Sequence, residues 1–148
     1  MNPSTIVQTL VAAALMMTIA GAVPENWIFT STVSGICFMV GWPPKDPGPI
    51  VSYYAGCPHG GATALDLKVI ESPRNTFTFN LTDEQTATEY NSFIEETRKT
   101  LRTSCPTVLK IMDGDMEKII YEPTPGNQTL EISIGSIQRT FALGNCAY

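Results

Sequence analysis

Along the chain, apolar residues recur with two different periods, and the change of period marks the elements. From Asn26 to Val33, Trp27, Phe29 and Val33 share one parity, the pattern of a half-buried strand. Gly35 to Trp42 is apolar almost throughout (Ile36, Cys37, Phe38, Met39, Val40), which suits a strand covered on both faces. Ser34-Gly35 between them predicts a hairpin turn. Ile50 to Ala55 resumes a strand, and Gly56-Cys57-Pro58-His59-Gly60-Gly61 reads as a turn. Leu65, Leu67 and Val69 then alternate with Asp66 and Lys68, while Phe77, Phe79 and Leu81 alternate with Thr78 and Asn80. The intervening Ser72-Pro73-Arg74-Asn75 predicts a second hairpin.

One segment carries the helical period. Ala87, Tyr90, Ile94, Thr97 and Leu101 follow a 3–4–3–4 spacing, with Phe93 widening the stripe, which predicts a helix over Asp83 to Thr103. Thr82 and Gln85 form a candidate capping box, and Pro106 forbids continuation. Asp83 and Glu84 lie at the positive end of the helix dipole; Arg98, Lys99 and Arg102 lie at the negative end. Glu89, Glu95, Glu96 and Lys99 face water on this reading. Beyond the helix the period returns to two. Thr107 to Met112 and Met116 to Glu122 flank Asp113-Gly114-Asp115, a hairpin signal, and Leu130 to Ile134 and Ile137 to Leu143 follow. The fold class expected from this order is α+β, with one central helix packed on a twisted antiparallel sheet.

The amino terminus is of another kind. Residues 1–22 contain no charged side chain, and Ile6 to Ala20 is an apolar run ending in Ala20-Gly21-Ala22. The run is short for a bilayer span, which needs about 20 residues. Residues 1–22 are read as a signal peptide, and 23–148 as a single secreted domain with no membrane attachment after cleavage. Export gives the four cysteines a meaning: Cys37, Cys57, Cys105 and Cys146 are expected to form two disulfides. Four cysteines allow three pairings. The nested one, Cys37 with Cys146 and Cys57 with Cys105, is favoured over the other two. Export also turns Asn80-Leu81-Thr82 and Asn127-Gln128-Thr129 into candidate glycosylation sites.

Composition narrows the function. Of 148 residues, 43% are hydrophobic and 16% charged, unlike a disordered chain. A net charge of −5 argues against a nucleic-acid partner. The lone His59 sits among glycines without a recognisable nucleophile, and it reads first as a turn residue. Asp113 and Asp115 lack the remaining ligands of a calcium loop and read as turn formers. No metal and no cofactor are expected. Arg139 shares parity with Ile137, Phe141 and Leu143, so it should point inward and pair with Glu117 or Glu131.

Glu117 to Tyr121, Leu130-Glu131-Ile132 and Asn145-Cys146 resemble the closing strands of small secreted fungal guanyl-specific ribonucleases. They also resemble the ribonuclease-like effectors of powdery mildews. That resemblance implies a helix on an antiparallel sheet, a terminal disulfide and a His, Glu, Arg, His catalytic set. Ser133 or Ile134 stands where the second histidine belongs, which implies kinship with a non-catalytic branch. A second resemblance is to wedge-type inhibitors of papain-like cysteine proteases. Here Trp42-Pro43 and the stiff connection through Pro44, Pro47 and Pro49 would enter a cleft with little ordering cost. The expected function is that of a secreted effector or virulence-type protein, a monomer that binds an extracellular or host protein without catalysis. Its candidate contact residues are Trp42, Pro43, Pro44, Lys45, Asp46, Tyr53, Tyr54 and His59.

Overall fold

The structure, a computed structural model, describes residues 27–42 and 50–147. The expected signal peptide therefore lies outside the described residues, as do Pro43, Pro44, Lys45 and Asp46. The strands are β1 (Trp27–Val33), β2 (Ile36–Trp42), β3 (Ile50–Cys57), β4 (Gly60–Glu71), β5 (Thr76–Phe79), β6 (Lys118–Glu122), β7 (Thr129–Ile134) and β8 (Ile137–Leu143). A single described helix, α1 (Glu84–Thr103), stands between β5 and β6.

Each strand pairs antiparallel with the next, and β8 returns to β1, so the sheet closes into an eight-stranded barrel. This corrects the expected helix on a twisted sheet. Alternation within a strand is the same for an open sheet and a barrel. What decides between them is whether the first and last strands meet, and here they do. Phe29 pairs with Leu143 and Thr30 with Ala142, and Gly144 N–H donates to the Ile28 carbonyl at 3.0 Å.

The Ser34-Gly35 turn closes as its sequence predicts, and the β7–β8 turn at Gly135-Ser136 has the same form. Ser34 and Gly35 have φ of 50° and 81°, and Gly135 and Ser136 have 63° and 61°. Positive φ at both central residues gives the turn whose twist matches the strands. Strand β4 departs from its predicted alternation. Val51 pairs with Leu67 but Tyr53 pairs with Ala64, so two residues of β4 oppose one of β3. The bulge sits at Asp66, whose φ is +58°, a left-handed conformation that Asp tolerates better than most residues. It inverts the parity: Ala62, Ala64, Leu67 and Val69 face inward, while Leu65 is 60% exposed.

Inward-facing side chains fill the barrel. Phe29, Val40, Leu67, Phe77, Ile119, Leu130 and Phe141 are at most 1% exposed. An eight-stranded barrel has just the width that such side chains occupy. Trp42 stands edge-on to Phe29 and Phe77, with ring centroids 6.1 and 6.0 Å apart. Outward positions mix polar Lys68, Lys118, Glu122 and Thr140 with apolar Ile28, Leu65, Ile70, Ile137 and Leu143, so the wall is apolar inside and mixed outside.

The helix enters this core rather than lying across a sheet. Phe93 stacks on Tyr53 at 5.6 Å, and Tyr90 packs against Phe79 at 5.0 Å. Strand β4 pairs with β3 over Gly60 to Lys68 but with β5 only over Val69 to Glu71, and α1 packs against it. Small inward residues make room: a Cβ on Gly60 would lie 3.0 Å from Ser104 Cβ. The N-cap is Asp83, which accepts from Thr86 N–H at 3.0 Å, so the predicted Thr82–Gln85 capping box is corrected by one residue. Thr82 instead donates its hydroxyl to Asn80 Oδ1.

Both disulfides adopt the favoured nested pairing, Cys37–Cys146 and Cys57–Cys105, each with Cα atoms 5.9 Å apart. They span 109 and 48 residues, so each removes about 4–5 kcal/mol of loop-closure freedom from the unfolded chain. The first ties β2 to the carboxy-terminal end. The second pins the segment after α1 to the end of β3.

Candidate functional site

After α1 the chain does not form the predicted strand over Thr107 to Met112. That segment is irregular, and a set of specific hydrogen bonds holds it. Thr107 donates its hydroxyl to the Ser34 carbonyl at 3.0 Å and accepts from Leu109 N–H at 3.2 Å. Asp115 is 2% exposed, and its carboxylate takes the N–H of Met112 at 2.8 Å, Gly135 at 2.7 Å and Ser136 at 3.1 Å. Ser133 donates a fourth bond at 3.3 Å. Asp115 therefore organises two loops, a larger part than the turn former its sequence suggested. Tyr90 donates its hydroxyl to the Asp115 carbonyl at 2.9 Å, and Tyr53 donates to the Met116 carbonyl at 2.8 Å from inside the barrel.

Arg98 is the strut between helix and segment. Its Nε donates to the Ile111 carbonyl at 3.2 Å, its Nη2 to Asp113 at 2.7 Å and its Nη1 to Glu95 at 3.0 Å. The Asp113 bond, with that to Glu95, holds the guanidinium protonated above its ordinary range. Asp113 reaches out to Arg98 and is otherwise in water.

Between α1 and this segment runs a cleft of about 420 Å³, lined by Arg98, Leu101, Arg102, Thr107, Leu109, Lys110, Ile111 and Met112. Its size is that of a small-molecule site. Leu101 and Ile111 form the floor, each 6% exposed, and Met112 is 46% exposed at the mouth. Arg102 and Lys110 stand exposed on the rim with no ion-pair partner among the described residues. Sequence reasoning missed this site. It assigned Arg98 and Arg102 to the helix dipole and residues 107–112 to a strand, although Pro106 followed by Leu109-Lys110-Ile111-Met112 already places basic and apolar groups side by side.

Of the residues expected to make contacts, the described ones, Trp42, Tyr53, Tyr54 and His59, do not share one exposed face. Trp42 and Tyr53 are core, 2% and 3% exposed, because their parity points into the barrel. Tyr54 faces outward and lies over Gly56 and Gly61, where a Cβ would meet its ring. His59 is exposed on the turn after β3, its N–H donating to Cys57 Sγ at 3.4 Å. It lies about 25 Å along the eight-residue β3 from Ile50. Arg139 faces inward beside Ile132, as its parity predicts, but the expected carboxylate partner is absent. Glu131 has the opposite parity and accepts from Thr140 at 2.6 Å, and Arg139 Nε is buried without a hydrogen bond.

Asn127 is exposed on the β6–β7 connection, and Asn80 is half-buried between β5 and α1. Among the described residues, no group of three or more His, Cys, Asp or Glu could hold a metal ion. No helix there is long and apolar enough to cross a membrane. No protein-family model, no curated protein and no solved structure matches this chain.

Proposed function

We propose that this chain is a secreted, disulfide-closed barrel that binds an extracellular or host target without catalysing a reaction. The observation that carries the reading is the α1–segment cleft, an apolar trough with two cations on its rim that have no ion-pair partner among the described residues, in a chain of net charge −5. The barrel interior is filled by its own side chains, which leaves recognition to the outer surface. The two disulfides fit an oxidising compartment. The wedge-inhibitor reading has lost its aromatic anchor, since Trp42 is core.

Expression through a eukaryotic secretory pathway tests the proposal. The released protein should begin after Ala22, contain no free thiol, and lose glycan mass on Asn127→Gln. An intact Met1 with four free thiols in the native product would overturn export. RNA hydrolysis that disappears in His59→Ala would overturn the non-catalytic reading.

A further inference from the structure

We propose that the cleft between α1 and residues 107–112 binds a single-chain anionic amphiphile, an alkyl chain ending in a carboxylate. The inference rests on the binding-protein reading and names the ligand class for its site.

Each part of the cleft selects a part of that ligand. Leu101, Leu109, Ile111 and Met112 present apolar surface along one trough, and their contact with an alkyl chain would release the water that now covers Met112 and Leu109. Among the described residues no Asp or Glu lines the trough, and Arg98, Arg102 and Lys110 all do. Arg98 is already committed to Asp113, Glu95 and the Ile111 carbonyl. The charge left to a ligand is therefore that of Arg102 and Lys110. An anionic head would sit between them while its chain lies on the floor. The helix end beside the cleft is also prepared. The Thr100 carbonyl accepts from Ser104 and Cys105 N–H, and the Lys99 carbonyl from the Thr103 hydroxyl, so these acceptors do not face an incoming anion unsatisfied. The cleft is built rather than accidental, since Arg98, Thr107 and Asp115 each fix the segment that forms its wall.

The probe is dodecanoate below its micelle concentration, added to the oxidised protein and followed by calorimetry and amide NMR. Saturable binding is expected, with shifts confined to Arg98 to Arg102 and Thr107 to Met112. Arg102→Glu/Lys110→Glu changes two exposed residues and should fold normally. It should bind dodecanoate about tenfold or more weakly and should gain affinity for dodecyltrimethylammonium, which wild type should not hold. Dodecanol should bind wild type more weakly than dodecanoate does. The proposal is overturned if dodecanoate fails to saturate, if its shifts map elsewhere, or if charge reversal leaves affinity unchanged. An acidic peptide that shifts the same resonances where dodecanoate does not would also overturn it, while leaving the binding-protein reading in place.

Discussion

Asp115 and Gly135, twenty residues apart in sequence, are joined by a 2.7 Å bond from backbone N–H to buried carboxylate. The bond fastens the cleft wall to the β7–β8 turn, so the shape of the site depends on a residue that never lines it. Asp115→Ala should strip three part-buried N–H groups of a buried carboxylate acceptor and cost about 2–3 kcal/mol, read as a fall in the urea midpoint. Asp113→Ala, two residues away on the surface, should cost under about 1 kcal/mol. Equal losses at the two positions would contradict the assignment.

The bulge at Asp66 makes two leucines of similar sequence setting behave differently. Leu67 is fully buried and Leu65 is 60% exposed. Leu67→Ala should destabilise by about 2–5 kcal/mol, and Leu65→Ala by about 0.5 kcal/mol or less. Chemical denaturation of the two variants checks the register of β4 without a further structure.

Trp42 separates core from contact. Trp42→Ala should cost about 3–5 kcal/mol, because it removes an aromatic packed between Phe29 and Phe77. A surface anchor would change stability by about 0.5 kcal/mol or less.

Alkaline pH should loosen the helix from the barrel. Burial, with the neighbouring Tyr90, raises the Tyr53 hydroxyl well above its ordinary 10.0. Burial first, then Glu117 and Asp115, pushes Tyr90 up to about 12. In the unfolded chain both phenols ionise near pH 10, before the folded ones. The stability held by the neutral phenols is thus complete below pH 10 and is lost as pH rises from there toward 12. Urea midpoints across that range should fall, and Tyr90→Phe should flatten the fall.

The strands and the helix were legible because each rests on local periodicity. Glu84–Thr103 begins and ends within a residue of its expected span, β1 and β8 lie where alternation puts them, and β2 lies where its continuous apolar run puts it. The disulfide pairing was favoured correctly. Closure of the sheet was not legible, because the contact of Phe29 with Leu143 spans nearly the whole chain and leaves no mark on either strand's pattern. The parity of Leu65 was misread because one left-handed residue, Asp66, inverts the face. The cleft was missed because its wall is irregular. Thr107 to Met112 carries an apolar pattern that suits a strand, yet hydrogen bonds to Ser34, Arg98 and Asp115 hold it in another shape.

The partial pairing of β4 has a consequence for how this molecule avoids sticking to itself. Over Gly60 to Leu67 the strand pairs with a described strand on one side only, and such a margin invites another chain to add on. Helix α1 stands guard there, held by Cys57–Cys105 at one end and by the Lys68–Asp83 pair, 3.0 Å apart, at the other. Reducing that disulfide should therefore show itself first as self-association, with fibrils or oligomers seeded from β4, before the rest of the molecule melts.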